Sequence, residues 1–273
     1  MLLLVGTPIG NLDDLSPRAV AALAEADLVV CEDTRRTGRL LAAAGVRARA
    51  LLAMHDHNEA RQIGTLLDRL RGGETVVVVS DAGMPGISDP GERLVRAAAA
   101  EGIEVRVVPG PSAVVSAVVL SGLPTGRFVY EGFLPRKGSG REERLVALAA
   151  EQRTMVLYEA PHRVARTLAD LSVALGEDRR VALCRELTKL HEEVWRGTLG
   201  EAVTHVAAAE PRGEYVVVVD GGEPPPAAGD EELAEAVAGR VAAGASTRDA
   251  VAAVALRYGV PKRRVYGLAT GDR

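Results

Sequence analysis

Aromatic side chains are scarce: one Trp, five Tyr and two Phe in 273 residues. Leu, Val and Ala must therefore fill the core. The two cysteines, Cys31 and Cys184, are too few for a disulfide framework or a cysteine-built zinc site. Both lie in apolar, strand-like runs and read as buried thiols. Lysine is almost missing: Lys137, Lys189 and Lys262 stand against arginine everywhere else, a skew that fits GC-rich coding. No apolar run approaches the ~18 residues of a membrane span. The opening Met1-Leu2-Leu3-Leu4-Val5 has no basic start and reads as a strand rather than a signal peptide, so no membrane partner and a cytoplasmic location are expected. No G-x-x-x-x-G-K-[ST] occurs, and no G-x-G-x-x-G follows the first strand, which counts against NTPase and dinucleotide-binding readings.

What is present describes a globular protein. Apolar residues make up 47% and charged residues 26%, enough for a substantial core. Lys and Arg total 33 against 37 Asp and Glu, a net charge of −4. That balance argues at first sight against a nucleic-acid partner. The length suits one large or two ordinary domains.

Residues 1–121 alternate short apolar runs with helical patterns. Strands are expected at 2–5, 27–31, 48–52, 75–79 and 104–108, and helices at 16–26, 34–44, 58–71, 91–101 and 112–120. Such alternation implies a mainly parallel sheet covered by helices. Ser121-Gly122-Leu123-Pro124-Thr125-Gly126 reads as a linker. Residues 122–221 form a second, mixed α/β domain, with strands at 128–132, 154–158, 180–186, 192–197 and 215–220. Its helices are expected at 141–150, 161–175 and 201–209. The Pro-rich stretch 221–229 is a second linker. Residues 230–273 read as a small C-terminal helical domain, with helices at 230–243, 247–258 and 261–268. The fold class is thus α/β: two α/β domains plus a helical tail.

In an open parallel sheet, ligands bind beyond the carboxyl ends of the strands. Three loops there are unusual. They are Gly6 to Leu15, Ser80 to Gly91, and Pro109-Gly110-Pro111 leading into Ser112-Ala113. Glycine admits close backbone approach, proline shapes a loop in advance, and a helix start offers free N–H groups. One such loop is an ordinary turn; three on one edge indicate a small-molecule site. Few ionic side chains are available in them, so backbone groups must carry recognition.

Charged motifs surround these loops. Cys31-Glu32-Asp33-Thr34-Arg35-Arg36 follows the second strand, with Asp33 as a helix N-cap. His55-Asp56-His57-Asn58-Glu59 lacks further Cys or His, so no metal is expected there. A polar loop facing the cleft, with Asn58 as an N-cap, is the better reading. Glu159 and Glu186 both lie at strand ends beside arginines, Arg163 and Arg185. Phe133 to Arg141 is a basic loop, and a solvated charge run accounts for it equally well.

These blocks resemble a known family. Gly6-Thr7-Pro8-Ile9-Gly10-Asn11-Leu12 comes first, then Glu32-Asp33-Thr34-Arg35, His55-Asp56-His57-Asn58-Glu59 and Ser80-Asp81-Ala82-Gly83 through Ser88-Asp89-Pro90-Gly91. Pro109-Gly110-Pro111-Ser112-Ala113, Tyr130-Glu131-Gly132-Phe133-Leu134-Pro135, Tyr158-Glu159 with His162-Arg163, and Arg185-Glu186-Leu187-Thr188-Lys189 follow in order. They look like the rRNA-modifying branch of the tetrapyrrole-methylase (class III) group of S-adenosylmethionine enzymes. The match runs over residues 2–220, and the tail is similar to a small helical domain of that branch. Met84 departs from the pattern, where the family usually has Thr.

The resemblance implies S-adenosylmethionine held in a cleft between the two α/β domains. Gly83, Met84, Pro85, Ile87 and Ser88 would line it from one loop, and Ser112 and Ala113 from the helix start. Tyr158, Leu187 and Gly213 would contact it from the second domain, with Pro8 shaping the floor. The implied reaction is 2′-O-methylation of a cytidine ribose in the decoding region of 16S rRNA, free or in the 30S subunit. Glu159 or Glu186 is expected as base or orienter, with Arg35, Arg36, Arg136, Lys137, Arg163, Arg185 and Lys189 on RNA. In the tail, Lys262, Arg263 and Arg264 crowd one end of a helix-turn-helix-like pair. A homodimer is also implied. A tetrapyrrole or protein methylase of the same fold stays open, as does a non-catalytic RNA-binding assembly factor.

Overall fold

A computed structural model describes residues 1–55, 57–223 and 229–270. Its first sheet contains β1 (Leu2–Val5), β2 (Leu28–Cys31), β3 (Leu51–Ala53), β4 (Val76–Val78) and β5 (Val105–Val108). The spatial order is β3-β2-β4-β1-β5, with β1·β4, β1·β5, β2·β3 and β2·β4 all parallel. Parallel pairing brings the carboxyl ends of these strands to one edge, as the alternation predicts. The connecting helices are α1 (Pro17–Glu25), α2 (Thr34–Ala43), α3 (Glu59–Arg71) and α4 (Glu92–Ala100). One face of the sheet packs Leu2, Val30 and Val76 against α3 and α4 residues such as Leu66 and Leu94; the other packs Val5, Val29 and Val77 against Leu23 and Leu41. Such burial on both faces is why β4 reads as an unbroken β-branched run.

The start of α1 follows its sequence signature: the Ser16 hydroxyl accepts the Ala19 N–H, and Pro17 occupies the first turn. Asp33 caps α2 through a hydrogen bond from the Arg35 N–H. Asn58 sits at the start of α3 but makes no side-chain cap there. Its amide instead bridges the preceding loop, accepting the His55 N–H and donating to the Ala53 carbonyl. Asp56, within that motif, lies outside the described residues.

Helix α5 (Ala113–Ser121) departs from the expected partition. Its place in the strand–helix alternation assigns it to the first sheet. Val114, Ala117 and Val118 pack instead on Val156, Ala182, Cys184 and Val216 of the second sheet. The Ser121 to Gly126 stretch is therefore not a free linker. Gly122 ends the helix at φ 74°, and Leu123 is buried in the same core. The boundary at 121/122 would part a helix from the sheet it covers, and Met1–Gly222 forms one compact unit.

The second sheet comprises β6 (Phe128–Gly132), β7 (Thr154–Glu159), β8 (Arg180–Arg185), β9 (Glu193–Thr198) and β10 (Tyr215–Val219), in the order β6-β7-β10-β8-β9. It is mixed, as expected: β6·β7 is parallel, while β7·β10, β10·β8 and β8·β9 are antiparallel. Helices α6 (Ser139–Ala149), α7 (Pro161–Leu175) and α8 (Leu199–Ala207) accompany it. The α8 helix begins before residue 201 because Thr198 and Glu201 form a reciprocal capping box. Burial pushes both cysteine thiols up, Cys184 to about 11, which suits inert core thiols.

Glu223–Arg273 is a separate compact unit. Its helices α9 (Asp230–Ala242), α10 (Thr247–Tyr258) and α11 (Lys262–Thr270) pack Leu233, Val237, Val251, Val254 and Val265 into a small core. Ser246 caps α10, and Gly259 at φ 64° ends it. The poly-Pro part of the expected linker, residues 224–228, lies outside the described residues. Among the described residues, no helix is long and apolar enough to cross a membrane.

Candidate active site

The loops after β1, β4 and β5 meet through their backbones. Thr7 and Gly83 form a two-residue antiparallel bridge, with N–H···O distances of 2.9 and 3.1 Å. The Thr7 hydroxyl donates to the Ser80 carbonyl at 3.2 Å, and Gly83 adopts φ 82°. A Cβ on Gly6 would lie 2.7 Å from the Gly110 Cα and 2.7 Å from the Met84 sulfur. Glycine is thus required at 6 and 110 because two backbones touch, not because of backbone conformation. Met84 fills the space above that contact with its thioether, so its departure from Thr leaves the loop packed.

Beside these loops lies a cavity of about 1080 Å³, lined from both sheets. Of the predicted cofactor residues, Gly83, Met84, Ile87, Ser88, Ser112, Ala113, Tyr158 and Leu187 line it. Pro8 and Pro85 are buried and do not line it. Gly213 sits against Glu186, where a side chain would collide with that carboxylate. Ser112 caps α5 with its hydroxyl, leaving the start of the helix facing the cavity.

A side-chain bridge crosses between the sheets. The Ser88 Oγ and Tyr130 hydroxyl are 2.6 Å apart. Tyr130 meets the Tyr158 ring edge-on at 5.2 Å, and burial pushes both phenols above their ordinary pKa. Motif reading alone had assigned Tyr130 and Thr7 no role. A tyrosine in a chain so poor in aromatics was the available signal.

Cations and carboxylates ring the first sheet's carboxyl edge. Arg35 is 89% exposed and pairs with Asp33 at 3.2 Å. Arg36 pairs with Asp81 at 3.3 Å, and Asp81 also accepts the Asp33 N–H. Asp81 thereby braces the loop after β4 against α2. Both arginines, with His55 and His57, line the cavity. This agrees with a polar loop facing the cleft.

Glu159 and Glu186 turn out to be unlike. The Glu159 side chain is fully buried, at 0% exposure. Its carboxylate accepts the Ala160 N–H at 3.0 Å and the Thr167 hydroxyl at 2.6 Å, and faces Arg163 at 3.1 Å. Each of these partners is internal, which makes Glu159 a structural anchor, although it too lines the cavity. Arg163 also donates to the Leu134 carbonyl at 2.6 Å. Glu186 lines the cavity at φ 50°. It accepts Lys189 Nζ and the Glu214 N–H, both at 2.9 Å. Burial pushes its carboxyl up, but those hydrogen bonds and the Lys189 and Arg185 charges outweigh it and hold the pKa below the ordinary value. Lys189 also bonds Glu214 at 2.8 Å and stays cationic, and it lines the cavity. Arg185 pairs with Glu193 at 3.0 Å, and its Nε is buried with no hydrogen-bond partner among the described residues.

Arg136 and Lys137 are exposed on the loop before α6. In the tail unit, Lys262 and Arg263 are exposed, whereas Arg264 ties α11 to α9 through Asp230 at 2.7 Å. Arg264 is accordingly first a packing residue of the helical unit.

Comparison with known proteins agrees with this arrangement. Residues 1–203 match the family described as Tetrapyrrole (Corrin/Porphyrin) Methylases. The chain is 44% identical over 270 residues to a ribosomal RNA small subunit methyltransferase I of Synechocystis sp., covering 98% of this chain and 96% of that one. It is 48% identical over 267 residues to the protein of that name from Mycobacterium tuberculosis, covering 97% and 93%. Among solved structures, a uroporphyrin-III C-methyl transferase from Thermus thermophilus, complexed with S-adenyl homocysteine, shares the fold. There the TM-score is 0.56 and the identity 22%, over 80% of this chain and 96% of that one. With the family profile covering the first sheet and all of the second but β10, and the relatives aligned almost end to end, the chain belongs to the tetrapyrrole methylases, and within them to the ribosomal RNA small subunit methyltransferase I family.

Proposed function

We propose that this protein transfers a methyl group from S-adenosylmethionine to the ribose 2′-hydroxyl of a cytidine in the decoding region of 16S rRNA. The observation that carries this reading is the cavity itself: a glycine-laced wall of backbone on one side and Arg35, Arg36 and Lys189 around it. The wall fits the cofactor, because close backbone approach and a capped helix start suit a zwitterionic nucleoside. Gly83, Met84, Ile87, Ser88, Ser112, Ala113, Tyr158 and Leu187 would hold it. A small-molecule pocket is about 300–1,000 Å³. At about 1080 Å³ the cavity stands at the upper end of that range, ample for the cofactor.

When bound, the cofactor supplies an activated methyl on a sulfonium with a neutral leaving group. The protein's part is then chiefly positioning. Glu186 has a depressed pKa and is a weak base, so its role is to accept the hydroxyl's hydrogen bond and orient the oxygen. The hydroxyl proton becomes strongly acidic as the carbon–oxygen bond forms, so a weak acceptor suffices. Lys189 holds Glu186 in place. Arg35 and Arg36 at the cavity contact phosphates, as do the exposed Arg136 and Lys137 and, in the separate helical unit, Lys262 and Arg263, which makes binding salt-dependent.

Incubation of the purified chain and tritiated S-adenosylmethionine with 30S subunits, isolated 16S rRNA and total protein tests this reading. Label is expected in RNA, stable to alkali at one dinucleotide as a 2′-O-methyl requires. Label in protein, or none in RNA, overturns it. A cytoplasmic site of action accompanies a ribosomal substrate.

The homodimer belongs to the same reading. Val115 and Val119, one turn apart on α5, are 53% and 69% exposed, and Val107 on the edge strand β5 is half-exposed. Exposed apolar side chains on a helix and on an edge strand favour a second copy. Sedimentation equilibrium is expected to give twice the chain mass; a monomer at micromolar concentration would refute it.

A further inference from the structure

The cavity carries one aromatic ring whose position neither packing nor cofactor binding explains. Phe133 is 50% exposed and lines the cavity. Both phenylalanines are part-exposed, Phe128 at 39%, but Phe133, unlike Phe128, lines the cavity. Folding gains little from it there, since about 25 cal/mol per Å² accrues only to area removed from water.

The ring is held outward by a built network. Immediately after it, Leu134 is buried, and the Leu134 carbonyl accepts Arg163 at 2.6 Å. The Pro135 carbonyl accepts Arg141 at 2.8 Å. Arg141 is itself buried, bonded to Asp170 at 2.7 Å and to the Thr167 hydroxyl at 3.1 Å. Thr167 and Arg163 both end on the Glu159 carboxylate. Glu159 thus pins the two peptide groups that follow Phe133, through two arginines. On the preceding side, Glu131 pairs with Arg144.

A line of contacts leads from the cofactor-side loop to this ring. Ser88 bonds Tyr130, Tyr130 meets Tyr158 at 5.2 Å, and Tyr158 meets Phe133 at 5.7 Å with the planes at 64°. Phe133 is the outermost member, farthest along that line from Ser88, and its outer half faces open space. The exposed Arg136 and Lys137 come three and four residues later.

We propose that Phe133 is the stacking platform for the nucleobase of the target nucleotide, with Glu159 as the positioning residue that holds it. This rests on the RNA-methylation reading above. A ribose 2′-hydroxyl can reach a recessed methyl only if its nucleotide leaves the stack, and the extruded base then needs an aromatic surface. Arg136 and Lys137 lie where the flanking phosphates would run. Stacking tolerates any base, so Phe133 supplies affinity and placement rather than base identity.

The test uses the full chain with 16S rRNA and 30S subunits, and compares Phe133→Ala, Phe133→Leu and Phe133→Tyr. For Phe133→Ala, KM for RNA is expected to rise about tenfold, within the range for lost base stacking. Its affinity for S-adenosylmethionine by calorimetry stays unchanged. Phe133→Leu keeps an apolar side chain without a planar face and is expected to behave like Ala, while Phe133→Tyr restores wild-type KM. Unchanged KM in Phe133→Ala overturns the proposal. So does rescue by Leu, which means simple apolar packing, or weakened cofactor affinity, which makes the ring a seat for the cofactor's adenine. A wild-type chain that labels no RNA defeats the methylation reading itself and takes the platform with it; RNA labelling indifferent to Phe133 defeats the platform alone.

Discussion

Gly6→Ala is expected to weaken S-adenosylmethionine binding at least tenfold and to lower thermal stability. The added Cβ would sit 2.7 Å from both the Cα and the nitrogen of Gly110. Those are backbone atoms in a loop that is itself bonded to β1, since the Gly6 N–H donates to the Val108 carbonyl at 3.0 Å. Neither side can yield without separating the loops after β1 and β5. Overpacking of a closed site costs about 1–3 kcal/mol. The displaced backbone is also the proposed cofactor wall, so affinity falls with stability. Gly110→Ala meets the Gly6 Cα at 2.8 Å and is expected to act in the same way. Gly140→Ala is the contrast: it lies in α6 with nothing near the added methyl. That variant should be neutral, or more stable by up to ~1 kcal/mol from helix propensity. Calorimetric titration and thermal unfolding of the three variants check this. Unimpaired binding by Gly6→Ala would remove the glycine-laced wall from the cofactor site.

Glu159→Ala is expected to cost about 3–5 kcal/mol of folding stability, because it leaves a largely buried arginine without its counter-charge. Arg163 is 19% exposed, Thr167 is buried, and both lose their acceptor at once. Glu159→Gln retains an oxygen and an amide for the same neighbours and should lose less. Glu186→Gln should behave in the opposite way: near-native unfolding, but single-turnover methylation reduced sharply with cofactor binding kept. Its carboxyl is held below 4.5, so its pairing with Lys189 is complete above that pH and is lost as the pH falls through the lowered value. Urea unfolding at neutral pH and single-turnover assays separate the two glutamates. A Glu159→Ala variant as stable as wild type would break the anchor role. Full methylation by Glu186→Gln would break the orienting role.

These two glutamates illustrate what a linear reading can and cannot carry. In sequence, Glu159 and Glu186 look equivalent: each ends a strand and each has an arginine nearby. Their difference comes from which neighbours close on each carboxylate. Thr167 on α7, eight residues along, closes over Glu159, while Glu186 is met by the Glu214 N–H just before β10, the strand paired with β8. Arg163 and Arg185 show the same limit. Each holds internal partners that the linear sequence does not show, Leu134 and Glu159 in one case and Glu193 in the other. A net charge of −4 also hid how charge is distributed, since it sums paired surface ions together with Arg35, Arg36 and Lys189 at the cavity.

The sequence by itself determined the parallel first sheet, the mixed second one, the helical tail and the edge where the ligand loops gather. These follow from local rules: period, caps, and glycine or proline at loop positions act within a few residues. Only the tertiary structure decided that α5 covers the second sheet and that Gly6 must face Gly110. It also decided that Glu159 anchors while Glu186 faces the cleft, and that Phe133 is held outward. The reason is physical. Each of those depends on which atoms meet across long stretches of chain, and an α5 apolar on every face, or a carboxylate at a strand end, is compatible locally with more than one partner. Packing selects the partner, and with it the role.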